Sequence, residues 1–107
     1  MQFFTYTATF AIVNSATCAS KGFHIISSKN ECEDAAISLG LSDTYAYEYA
    51  ATSNPTGCIV NPNSGWLAWN TNANDVTCGS VYSGIGYTYN CICKGGKFKH
   101  FGELLQS

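Results

Sequence analysis

Arginine is absent from this chain, and charge of either sign is scarce. Only 11% of the 107 residues are charged, against ~25% in soluble globular chains. Surface polarity must therefore come from Ser, Thr and Asn, which suits a secreted, wall-associated or assembled protein better than a free cytosolic enzyme. Five lysines and seven acids leave a net charge of −2. Binding DNA or RNA requires a cationic patch that neutralises phosphates, and no such patch can be built here. Lys94, Lys97 and Lys99 form the only basic cluster, enough for weak contact with an acidic partner. No apolar run reaches the length of about 20 residues that a membrane-spanning helix needs. C-x-x-C pairs of the zinc-ribbon kind are missing. The N-x-S/T sequon is missing as well, because its proline excludes Asn54-Pro55-Thr56.

Against these gaps stand six cysteines: Cys18, Cys32, Cys58, Cys78, Cys91 and Cys93. An even set in a short chain reads as a disulfide framework, and disulfides persist outside the reducing cytosol. Three bridges would add about 2–4 kcal/mol each, comparable to the whole net stability of a small domain. The length fits one domain, able to bury roughly two-thirds of the surface its unfolded chain exposes. Hydrophobic residues make up 46% of the chain, so a modest core is available.

The first 16 residues resemble a signal peptide only superficially. They lack a positive start, threonines interrupt the apolar run, and the small-residue site near Ser15 and Ala16 is weak. A β-strand is the preferred reading, with Phe4, Tyr6, Ala8, Phe10 and Ile12 on one face and Thr5, Thr7 and Thr9 on the other. Disulfides without an export signal are in tension, which a virion protein oxidised after assembly would resolve. Phe23 to Ile26 is a short apolar run that reads as a strand.

Residues 28–40 spell a helix. Ser28 can cap it, Glu31 completes a capping box, and Glu31, Glu33 and Asp34 sit where the helix dipole favours negative charge. Cys32, Ala35, Ala36 and Leu39 form one apolar stripe, and Gly40 supplies a stop. Tyr45, Tyr47 and Tyr49 alternate with Ala46, Glu48 and Ala50 as in a strand. Residues 58–60 and 66–70 make a hairpin around the turn-rich Asn61-Pro62-Asn63-Ser64-Gly65. Residues 87–94 form the final strand, with Tyr87, Tyr89, Cys91 and Cys93 on one face. The pleat holds Cys91 and Cys93 parallel, so each should reach a different partner, and one of them is expected to bond Cys32 on the helix. After Gly95 and Gly96, the residues Phe98, Phe101, Leu104 and Leu105 suit a short amphipathic turn of helix.

The order Cys18, Gly22, Ile26, Ser28, then Glu31-Cys32-Glu33-x-Ala35-Ala36-x-x-Leu39-Gly40-Leu41, Pro55-x-Gly57-Cys58, Leu67-x-x-Asn70, Cys78 and Cys91-Ile92-Cys93-Lys94 has a likeness. It is similar to a cysteine-rich module of secreted and surface proteins of algae and other protists, and of large DNA viruses of such hosts. It more loosely resembles apple/PAN-type modules, in which cysteines tie a helix to a curled sheet. The likeness covers residues 18–94, implies a secreted or surface location, and carries no catalytic residues across. It divides the chain into an N-terminal arm (residues 1–17), the cysteine-rich module (18–94) and a C-terminal tail (95–107).

Each candidate chemistry has a plainer counterpart. A Cys–His nucleophile with His24 or His100 needs a free thiolate, which an even cysteine set does not leave. Paired carboxylates for glycoside cleavage would have to come from Glu31, Glu33, Asp34, Asp43, Glu48, Asp75 and Glu103, three of which the helix start explains. Asn70-x-Asn72-x-Asn74-Asp75 alternates oxygens as calcium loops do. It lacks the following glycine and carries Val81 where the bidentate glutamate belongs, so an Asn-rich turn is favoured. Zinc on Cys91, Cys93 and His100 would require reduced thiols.

Carbohydrate binding is the most serious specific option. Trp66 and Trp69, with Asn70 and Asn72, offer stacking faces and hydroxyl partners. Three apart on a strand, the two tryptophans point to opposite faces, so at most one belongs to the main core. The reading is therefore a small disulfide-stapled α+β domain, one short helix on a twisted, mostly antiparallel sheet. It is expected to be a non-enzymatic structural or interaction module, extracellular, on a cell surface or in a virion. It would have no cofactor or metal and no nucleic-acid partner. Its protein partners would be met through the N-terminal strand and the C-terminal tail. The alternative is a lectin-like surface module, and a more distant one a small secreted effector or inhibitor.

Overall fold

The computed structural model describes residues 5–7, 9–81, 88–95 and 98–100, with side chains for all but 5–7 and 98–100. One helix, α1 (Lys29–Ser38), packs on an open mixed sheet. The strands are β1 (Thr5–Thr7), β2 (Phe10–Val13), β3 (His24–Ile25), β4 (Tyr47–Tyr49), β5 (Gly57–Val60), β6 (Leu67–Asn70), β7 (Asn90–Lys94) and β8 (Phe98–His100). The main sheet runs β2-β7-β5-β6-β4, with β3 also paired to β7 beyond the end of β5. All its pairings are antiparallel except β4 with β6. This is the small disulfide-stapled α+β domain expected from the sequence.

The helix ends where its local chemistry says. Ser28 is extended, and its hydroxyl accepts the Glu31 N–H at 3.1 Å. The reciprocal arm falls one residue earlier than in a standard capping box, because Glu31 accepts from the Ser27 N–H at 3.2 Å. At the other end Gly40 takes φ 73°, Gly40 N–H donates to the Ile37 carbonyl, and Leu41 N–H to the Ala36 carbonyl. That pair of bonds is a Schellman stop, for which glycine carries no Cβ penalty.

Strand alternation sorts the core into two layers. Cys58, Val60, Leu67 and Ile92 face the helix and pack with Ile26, Cys32, Ala35, Ala36 and Ala46. Val13, Cys18, Cys78, Cys91 and Cys93 pack together on the other side of the sheet. The bridges are Cys18–Cys93, Cys32–Cys58 and Cys78–Cys91. Cys91 and Cys93 do take different partners, but neither is Cys32. The reason is parity: Ile92 occupies the helix-facing position of β7, which turns both neighbouring cysteines away from α1.

Phe10 and Ile12 share the helix-facing side of β2, as the alternation predicts, with Phe10 packed on the core and Ile12 exposed, while Val13 is buried on the opposite layer. Phe10–Val13 pairs with β7 over its whole length, inside the sheet of the cysteine module. Residues 98–100 form a strand, not a helical turn, and pair antiparallel with Thr5–Thr7. The two terminal strands are therefore partnered with each other. Phe4, Ala8, Tyr82, Tyr87, Lys97, Phe101, Glu103, Leu104 and Leu105 lie outside the described residues. No helix among the described residues is long and apolar enough to cross a membrane. Three disulfides fit a secreted or extracellular protein.

Lys94 Nζ reaches Glu31 Oε2 at 3.0 Å, tying β7 to the helix start. Partial burial acts to raise the Glu31 carboxyl, but the Lys94 ammonium and the Ser27 N–H outweigh it and hold it below its ordinary 4.5. A carboxyl depressed by folding stabilises the fold above its unfolded value and loses that contribution as pH falls through the lower folded value. Glu31→Gln should thus lower stability by about 0.5–1 kcal/mol at neutral pH. The difference from wild type should close at acid pH, which urea titrations across pH would measure.

Peptide mapping without reductant should recover the three bridges above. Loop-closure entropy ranks them by the 75, 26 and 13 residues they span. Replacing each pair by alanine should lower stability by roughly 4.5, 3.5 and 3 kcal/mol respectively.

Candidate functional site

Side-chain amides organise the loops around the β5–β6 hairpin. Asn70 is 1% exposed, and its Oδ1 accepts the N–H groups of Ala51 and Asn72. Its Nδ2 donates to the carbonyls of Ala51, Asn54 and Pro55. Asn74 repeats the pattern, donating to Asn54 and Asn72 and accepting from Val76 N–H. Asn70, Asn72 and Asn74 therefore clamp residues 51–56 to 70–76. The plainer reading of this segment, an Asn-rich turn, describes its geometry. Among the described residues no group of three or more His, Cys, Asp or Glu could hold a metal ion.

The two tryptophans stand on opposite faces, as their spacing requires. Trp69 packs against the helix-side core and borders a groove of about 600 Å³ with Ile25, Thr56 and Asn74. Trp66 lies on the other face, against Ile59, Ala68 and Tyr89. Both are half-buried. Neither tryptophan has Asn70 as a free polar neighbour, because that amide is committed to the loop.

Around Trp66 the sheet carries an aromatic cluster. The parallel pairing of β4 with β6 sets Tyr47 opposite Ala68 and Tyr49 opposite Asn70, on the face that Trp66 shares. Ring centroids lie 5.5 Å from Trp66 to Tyr47, 5.6 Å to Tyr49 and 6.1 Å to Tyr89, all tilted or edge-on. These are the preferred geometries of aromatic pairs. Burial pushes the Tyr49 phenol above its ordinary range, while the Asn54 amide that donates to it at 2.6 Å acts the other way. Tyr47 is 52% exposed, and Tyr45, outside the strand, lies under the Lys29 ammonium at 4.7 Å.

Beside this cluster is a shallow depression of about 510 Å³ bounded by Asp43, Asn61, Ser64, Gly65, Trp66 and Tyr89. The turn that follows β5 builds its wall. Asn61 Oδ1 accepts from the N–H groups of Asn63 and Ser64, and Gly65 takes φ 80° to bring the chain back. Ser64 Oγ then accepts the Trp66 N–H at 3.2 Å. Asp43 is held by the N–H groups of Tyr45 and Leu67. Sequence reasoning singled out Trp66 as a binding residue, but named Asp43 only among the carboxylates and Asn61 and Ser64 only as turn residues. The signal for Asn61 and Ser64 was present, since Asn-x-Asn-Ser-Gly is an Asx turn that must fold back beside the next residue. The approach of Asp43 had no local signal.

The other sequence-named residues are dispersed. All six cysteines are in disulfides, so Cys91 and Cys93 offer no thiolates to zinc or catalysis. Glu31, Glu33 and Asp43 hold backbone N–H groups at three separate points. No protein-family model, curated protein or solved structure matches the chain.

A clamp so fully bonded makes Asn70 a structural residue. Asn70→Ala should destabilise the fold by about 2–3 kcal/mol, because it leaves several buried backbone groups unpaired. Chemical denaturation would read this loss. A ligand-only role for Asn70 predicts no change in the midpoint.

Proposed function

We propose that this chain is a non-catalytic extracellular recognition module that acts by surface contact. The supporting observation is the aromatic face built from Tyr47, Tyr49, Trp66 and Tyr89 on the side of the sheet away from the helix. Tyr and Trp give large contact area for few rotatable bonds, and contact surfaces are enriched in them. Three disulfides and the asparagine clamp fix the backbone beneath these rings, so little ordering remains to be done on binding. The scarcity of charge leaves the face free of strong electrostatic preference. A place on a cell or virion surface follows the likeness of residues 18–94 to surface modules of algae, protists and their large viruses.

A protein partner has a second point of support. The ribbon of β1 and β8 has only two strands among the described residues, and a lone two-stranded ribbon is marginal in water. A neighbour that adds a strand to its edge would stabilise it.

The test is retention of the oxidised chain on a panel of immobilised surface proteins and surface glycans. Tyr47→Ala combined with Trp66→Ala should reduce retention at least tenfold while the three disulfides still form. Equal retention of wild type and double variant, or none by wild type, removes this reading.

A further inference from the structure

We infer that the depression beside Trp66 is a binding site for a neutral pyranose sugar ring. The inference rests on the contact reading above and names the ligand class of its aromatic face. Its decisive element is Asn61, which is only 7% exposed. Both backbone donors of the turn, Asn63 N–H and Ser64 N–H, converge on its Oδ1. Its Nδ2 has no hydrogen-bond partner among the described residues, yet no buried side-chain polar atom among them is left unsatisfied. The amide N–H₂ is therefore not fully sealed from solvent, and Asn61 is one of the residues that border the depression. A buried amide with its acceptor saturated and its donor unspent beside a cleft is a fixed donor waiting for an oxygen.

The other walls complete a set suited to a sugar. Trp66 supplies an apolar ring held by three aromatic neighbours, against which the C–H face of a pyranose can lie. Asp43 supplies a carboxylate oriented by two backbone N–H groups, with lone pairs left for hydroxyl protons. Ser64 Oγ accepts from Trp66 N–H and keeps its own proton to donate. A fixed N–H donor and a fixed acceptor bordering one depression suit sugar hydroxyls, each of which both donates and accepts. The lining has one carboxylate and no cation, which disfavours phosphate, sulfate and uronic or sialic acids. The volume of about 510 Å³ falls in the roughly 300–1,000 Å³ range of small-ligand sites. An open, shallow site of this kind should hold one ring with a Kd on the order of 1 mM and gain strength through multivalent display.

Methyl glycosides of glucose, galactose and mannose, and N-acetylglucosamine, are the probes. At least one should shift the Asn61 side-chain N–H₂ and the Trp66 indole N–H resonances of the wild-type protein at millimolar concentration. The same sugar on a polymer should retain the protein. Asn61→Asp keeps the acceptor that shapes the turn and removes the donor, so it should weaken binding at least tenfold. Trp66→Ala should abolish binding. Trp69→Phe, on the opposite face, should leave it unchanged. Sugar binding that survives both Asn61→Asp and Trp66→Ala, or a preference for anionic sugars, overturns the assignment. So does a wild-type protein whose resonances ignore all four probes. If the probes are silent but Tyr47→Ala with Trp66→Ala still abolishes retention on a surface protein, the sugar inference falls and the contact reading stands. If wild type is retained by neither class, both fall.

Discussion

Strand β7 is the part on which the rest of this molecule depends. It is hydrogen-bonded on both edges, to β2 on one side and to β5 and β3 on the other. Its three central residues, Cys91, Ile92 and Cys93, alternate across the sheet. Ile92 enters the layer under the helix, while the two cysteines bond Cys78 and Cys18 on the far side. A slip of one residue would exchange these layers, putting two cysteines beneath α1 and an isoleucine among the sulfurs. The bridges thus fix register as well as limit the unfolded chain. Cys32–Cys58 performs the matching task for the helix, anchoring it to β5, the neighbour of β7.

A chain with so little charge must stabilise its irregular segments by other means, and asparagine supplies them. An amide both donates and accepts, and burying it carries a smaller desolvation penalty than burying an ion. Asn61, Asn70 and Asn74 each accept backbone N–H groups two residues or so ahead, shaping their own turns. Asn70 and Asn74 spend their donors on distant carbonyls and close two loops onto each other. Asn61 does not, and that difference separates a structural amide from one available to a ligand. The same chemistry builds the scaffold and, at Asn61, shapes a turn beside the aromatic face.

The helix was readable in the sequence almost to its caps. Ser28, Glu31 and Gly40 act on backbone groups within four residues of themselves, so their meaning does not depend on the rest of the fold. The opposite facing of Trp66 and Trp69 was readable for a related reason: it follows from the two-residue period of a strand. The choice of partner for Cys32 was not readable. Alternation shows that Cys91 and Cys93 share a face but does not say which face the helix covers. The strand at residues 98–100 was not readable either, because the helical spacing of Phe98, Phe101, Leu104 and Leu105 is a local signal, whereas residues 98–100 meet a partner strand more than 90 residues earlier.

By itself, the sequence determined an oxidised, charge-poor α+β scaffold, its helix boundaries, its hairpin and the separation of its two tryptophans. These rest on backbone geometry and on redox chemistry, both of which act locally or on composition. Tertiary structure decided which cysteines meet, which asparagines are consumed by loops, and that Asp43 comes to stand near Asn61 and Trp66. Those outcomes depend on how segments tens of residues apart are brought together. That arrangement is set by the sum of many weak packing and hydrogen-bond terms, and no short stretch of residues contains it.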